Sequence, residues 1–75
     1  MLKPCRIKTI REFLTGEGLE LGATDGINEC WEGMGYSVLV CVCESHLPAI
    51  SIKVLLEELG KSEDHFNSVI SVLPR

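Results

Sequence analysis

Apolar residues recur along the chain in two rhythms, one of period near 3.6 and one of period two, and each predicts its own kind of element. Behind Pro4, the residues Ile7, Ile10 and Leu14 fall at helical spacing with Phe13 widening the stripe, and Gly16 and Gly18 close the run. The spacing predicts a first helix over residues 5–14, although residues 5–10 also alternate loosely enough to suit an edge strand. Residues 15–26 hold four glycines and predict a loop with a short extended piece at 19–21. Ile27, Trp31 and Met34 then stand at i, i+4 and i+7 after Asp25, a residue suited to a helix N-cap, so a two-turn helix is expected over 27–34, limited by Gly33 and Gly35.

In residues 36–43, "YSVLVCVC", an extended chain puts Val38, Val40 and Val42 on one side and Leu39, Cys41 and Cys43 on the other. The β-branched content favours a buried strand, with a buried helix over 37–47 as the alternative. A single strand leaves its backbone groups unpaired, and residues 5–10 and 19–23 are the candidate partners. The last third is helical in outline. Ser51 is expected to cap a helix whose stripe is Ile52, Leu55, Leu56 and Leu59, with Gly60 as its left-handed terminator. Ser62 then caps a second helix with Glu63 and Asp64 in its first turn, toward the positive end of the helix dipole, and Phe66, Val69, Ile70 and Leu73 on its apolar face. The two helices should pack as a hairpin. The expected fold is therefore one small, helix-rich α+β domain with a C-terminal helical hairpin and a strand near 36–43, an all-α bundle being the alternative.

With 75 residues the chain fits one domain, and a domain of that size buries only about 60% of its unfolded surface, so its stability margin is small and self-association would help. The 45% hydrophobic and 24% charged residues are those of a globular protein. The start of the chain has no apolar signal-like stretch, and the longest apolar run is six residues, Val38 to Cys43; neither export nor membrane insertion is expected, and a cytoplasmic location is. In that compartment Cys5, Cys30, Cys41 and Cys43 are expected to be reduced, and their apolar neighbours suggest burial.

Charge is unevenly placed. Residues 1–11 carry Lys3, Arg6, Lys8 and Arg11 and no acid, while the remainder sets three bases against eleven acids, for a net charge of −4. Such an acidic body lacks the electrostatic footprint of a phosphate-binding surface.

No pattern calls for catalysis. Gly60-Lys61-Ser62 ends like a phosphate-binding loop, but the position of its first glycine holds Leu55 inside a helix. Cys5, Cys41, Cys43 and His46 could in principle ligate zinc, yet Cys-x-Cys-x2-His is unusual spacing for a structural site. No metal, no cofactor and no enzyme activity are expected.

Residues 52–70, with Leu55, Leu56, Leu59, Gly60, Ser62, Phe66 and Val69, resemble the helix-turn-helix unit of bacterial and phage repressors. The likeness covers about a quarter of the chain and departs at Leu56, where the family has a small residue, and at Lys61, where it has an apolar one. It implies a nucleic-acid surface at Lys61, Ser62, His65, Asn67, Ser68 and Arg75. The presumptive recognition helix, however, opens with two acids and no base. Residues 34–37, "MGYS", also resemble the loop after the first helix of ubiquitin-associated domains, without a second amphipathic helix to follow.

The favoured reading is a small acidic interaction protein, an inhibitor or adaptor, that binds another macromolecule, a protein before a nucleic acid. Val54 falls nearly opposite the core stripe of its helix, beside Glu57 and Glu58, and with Tyr36, Leu47, Glu63 and Asp64 it makes the candidate partner-binding set. A homodimer formed through the edge of the 36–43 strand and the Val54 side of the helix is also expected.

Overall fold

The computed structural model describes residues 2–73. Among these residues are three helices and five strands: β1 (Cys5–Arg6), α1 (Ile7–Gly16), β2 (Glu20–Thr24), β3 (Asn28–Gly33), β4 (Tyr36–Cys41), β5 (His46–Leu47), α2 (Ala49–Leu59) and α3 (Glu63–Ser71). β2, β3 and β4 form an antiparallel meander, and β1 pairs with β5 in a separate two-residue ribbon. The mixed class is as expected, whereas a helix-rich domain with one strand, and the all-α alternative, are both replaced by two antiparallel sheets.

The main cause is residues 27–34. Their helical spacing is accidental, because Ile27 and Met34 are exposed and the burial of β3 alternates through Glu29 and Trp31. Asp25 does not cap a helix. Its Oδ1 accepts the N–H groups of Asn28 (2.7 Å) and Ile27 (3.0 Å), which fixes the β2–β3 turn and holds the Asp25 carboxyl below its ordinary range. At the next corner Met34 and Gly35 both take positive φ, 51° and 83°, the conformation of a two-residue hairpin whose twist matches its strands. β3 then passes so close to the end of the α1–β2 loop that a Cβ on Gly33 would run into the Gly18 carbonyl oxygen, so only glycine fits there.

One face of the meander presents Glu29, Trp31, Val38 and Val40 to the helices. α1 meets it with Ile7, Ile10, Phe13 and Leu14, all buried as the stripe predicts, although the helix begins two residues later than expected because Cys5 and Arg6 pair with Leu47 and His46. α2 buries Ile52, Leu55, Leu56 and Leu59. It starts at Ala49 directly after Pro48, so Ser51 lies inside the helix instead of capping it. Gly60 ends it in the left-handed conformation, and Ser62 caps α3 by accepting the N–H of His65 at 3.0 Å, both as expected. α3 closes the core with Phe66, whose ring meets that of Phe13 edge to face at a centroid distance of 4.8 Å.

Glu29 is the single buried charged residue among those described, 6% exposed. Arg11 clamps it with two hydrogen bonds, Nε to Oε1 at 3.0 Å and Nη2 to Oε2 at 2.6 Å, and Trp31 Nε1 donates to Oε1 at 3.2 Å. The Arg11 guanidinium holds the Glu29 carboxyl below the usual glutamate range; burial pushes the other way, and the indole N–H adds to the lowering. A depressed folded-state pKa means the clamp contributes fully above the ordinary glutamate range and is lost as pH falls through the lower folded value. Glu29→Gln should therefore cost about 2 kcal/mol in urea unfolding at neutral pH, and the difference from the unaltered protein should shrink as pH is lowered through that range.

Candidate docking groove

The two edges of the meander are unlike. β2 carries a bulge between Leu21 and Thr24, a glycine and a glutamate, which are the devices that discourage a free edge from pairing. β4 has no charge, no proline and no bulge. Its register with β3 sets Val38 against Trp31 and Val40 against Glu29, and Val42 N–H donates to the Ile27 carbonyl at 2.7 Å in the same ladder. Antiparallel alternation then turns the N–H and C=O groups of Ser37, Leu39 and Cys41 to the outer edge. Among the described residues no strand pairs there.

Alongside that edge lies α2. Ile50, Val54 and Glu58, spaced i, i+4 and i+8, share one stripe of the helix with Ser51 and Leu55 beside them. Together with Leu39, Val40, Cys41, Asn28 and Leu47 they enclose a groove of about 320 Å³. Its apolar walls face solvent: Leu39 is 64% exposed, Ile50 67% and Val54 48%. A strand edge beside an apolar helix face offers main-chain hydrogen bonds along one wall and side-chain pockets along the other, which is the geometry of strand addition. A larger groove of about 510 Å³ runs between the β1–α1 corner and α3, lined in part by Arg6, Thr9, Asn67 and Ile70. Its walls are mostly helical, so their backbone groups are already satisfied.

The residues expected to bind a partner divide. Val54 and Glu58 line the groove; Leu47 lies in its floor but is only 3% exposed, with its backbone paired to Cys5, so it offers little surface. Tyr36 is exposed at the start of β4, its hydroxyl beside Gly60 at the α2–α3 turn. Glu57 is exposed but outside the groove lining, and Glu63 and Asp64 stand exposed at the start of α3. Leu39 and Ile50 were not singled out by the sequence. Ile50 could have been, since it precedes Val54 by one helical turn.

The nucleic-acid set does not form one basic surface. Lys61 Nζ and His65 Nε2 both turn to Glu17 Oε1 at the end of α1, at 3.7 and 2.7 Å. The Ser62 hydroxyl is occupied as a cap, Asn67 lines the larger groove, and Ser68 is exposed with its carbonyl accepting from the Ser71 hydroxyl. Arg75 lies outside the described residues. Of the basic N-terminal stretch, Arg11 is committed to Glu29.

The cysteines are less buried than expected. Cys41 and Cys43 are exposed, and Cys5 and Cys30 are half-buried. The reason is directional: Val38 and Val40 take the inner face of β4, which leaves Leu39 and Cys41 outward. Among the described residues no three His, Cys, Asp or Glu side chains gather as a metal-ligating group, so Cys5, Cys41, Cys43 and His46 do not converge. No helix among them is long and apolar enough to cross a membrane.

Comparison with protein-family models, curated proteins and solved structures finds no match to this chain. The groove therefore rests on its own geometry. Because Leu39 and Val54 spend their side chains on solvent, Leu39→Thr and Val54→Thr should each change unfolding free energy by no more than about 0.5 kcal/mol, whereas Leu55→Ala in the same helix should cost about 2 to 4 kcal/mol; urea titrations of the three variants check this.

Proposed function

We propose that this domain is a small non-enzymatic interaction module that binds an extended segment of a partner protein along the outer edge of β4. The observation that carries the reading is the unprotected edge of β4 lying beside the exposed apolar stripe of α2. The segment would pair with the outward backbone groups of Ser37, Leu39 and Cys41 and set alternate apolar side chains against Ile50 and Val54. Charge selects the class of partner. Glu58 stands at one end of the stripe on a body of net charge −4. A segment with a lysine or arginine opposite Glu58 gains a complementary contact, whereas a second copy of this acidic chain brings like charge with it. The cytoplasm is the setting in which such an adaptor or inhibitor would act.

Selection of randomised peptides displayed on phage against the immobilised domain tests the proposal. Enriched sequences should alternate apolar residues over four or five positions and carry a basic residue near one end. Their binding should fall at least about tenfold on Val54→Glu, with little change on Asp64→Asn. Enrichment insensitive to Val54→Glu, or a domain that instead pairs with itself at micromolar concentration or selects duplex DNA, would refute it.

A further inference from the structure

At the end of β4 the chain places two thiols together. Cys41 and Cys43 are two residues apart, both exposed, with their Sγ atoms 2.9 Å from each other. Alternate positions of extended backbone share a face, which is why a Cys-x-Cys spacing at a strand end can bring both sulfurs to one side. A disulfide bond is about 2.05 Å long, so closure needs an approach of about 0.9 Å. After Val42, whose N–H makes the last bond to β3, the chain leaves the ladder and continues through Glu44 and Ser45 to β5, so Cys43 itself is not fixed by strand pairing. The pair borders a third groove of about 220 Å³, open to a small molecule and lined also by Glu44, His46 and Pro48.

We propose that Cys41 and Cys43 are a reversible thiol–disulfide exchange site for low-molecular-weight disulfides. Cys41, as thiolate, attacks one sulfur of a small disulfide RSSR; a Cys41–S–S–R bond forms, the R–S–S–R bond breaks and RS⁻ leaves. Cys43 then gives up its proton to solvent and its thiolate attacks Cys41 Sγ, forming the Cys41–Cys43 bond and releasing the second RS⁻. Two protein thiols are oxidised to one disulfide, and one small disulfide is reduced to two thiols. Either sulfur can donate in the contact, so each thiol can hold the other as a thiolate, and the balance lies toward Cys41 as the attacker. The Cys43 thiol and then the Cys43 backbone N–H lower the Cys41 pKa, partly opposed by the Glu44 and Asp25 carboxylates, while the same sulfur contact pushes Cys43 up. The other two thiols are placed differently. Cys5 is raised by burial, and Cys30 lies 3.6 Å from the Ser37 hydroxyl and 3.8 Å from Glu32 Oε1, without a second sulfur. The site stands whether or not the neighbouring groove takes a peptide.

The test is equilibration of the folded protein in buffers of reduced and oxidised glutathione at neutral pH, acid quenching, alkylation and peptide mass mapping. The expected product is an intramolecular Cys41–Cys43 disulfide, two hydrogen masses lighter and reversed by dithiothreitol. Cys43→Ser should accumulate glutathione on Cys41, Cys41→Ser should accumulate it on Cys43 without an intramolecular bond, and Cys5→Ser and Cys30→Ser should behave as the unaltered protein. A folded protein that keeps both thiols free in a buffer that oxidises the same pair in urea would overturn the proposal, as would oxidation that joins Cys30 or a second chain instead.

Discussion

Glu29 is a carboxylate set among apolar side chains, and the rest of the fold is arranged so that it is never alone. A buried charge without a partner is costly, whereas one held by a guanidinium fork and an indole N–H is tolerated and is specific about geometry. The fork comes from α1, the indole from β3 itself, so the interaction fixes where α1 crosses the inner face of the meander and how it is rotated. With α1 fixed at Arg11, its next turns deliver Phe13 to Phe66 and Glu17 to His65 and Lys61, and these contacts seat α3. Among the described residues no buried side-chain nitrogen or oxygen lacks a hydrogen-bond partner. In a domain this small, where apolar burial alone leaves little surplus, a compact arrangement that buried the carboxylate without Arg11 would carry a heavy penalty.

Fixing α1 and α3 at one side of the sheet leaves α2 to cover the β4 side, and one helix cannot cover both the inner face and the edge of a strand. Ile52, Leu55, Leu56 and Leu59 take the face. Ile50 and Val54 are left beside the edge with Leu39, and a groove follows from that division. The opposite edge, β2, is broken by its bulge and polar residues and invites no addition. The same strand direction that turns Val38 and Val40 inward also turns Cys41 outward to meet Cys43, so the groove and the dithiol are two outcomes of one register.

Much of the helical part was legible in the sequence because its signals are local. The stripe of α1, the core face of α2, Gly60 and the Ser62 cap each depend on residues within a turn of one another, and each stands where the pattern puts it, apart from the start of α2, where Pro48 and not Ser51 sets the boundary. The sheet was harder to read because its evidence is nonlocal. Ile27, Trp31 and Met34 match a helix by spacing, but pairing of β3 with β2 and β4 on both sides outweighs that preference, and Asp25 serves a turn as readily as a cap. The free edge of β4 and the exposure of Val54 could be anticipated separately; their meeting in one groove required the position of α2. The thiols were misjudged because an apolar stretch of a strand buries only one of its two faces when the other has no layer upon it.

The central claim is that β4 offers an unpaired main-chain edge, and residue-by-residue amide hydrogen exchange measured by NMR tests it most directly. Val38 and Val40, bonded inward to β3, should be protected to near the global unfolding free energy, while Ser37, Leu39 and Cys41, which alternate with them in sequence, should exchange far faster. Equal protection at all five positions would mean that the edge is already covered, and would contradict the account.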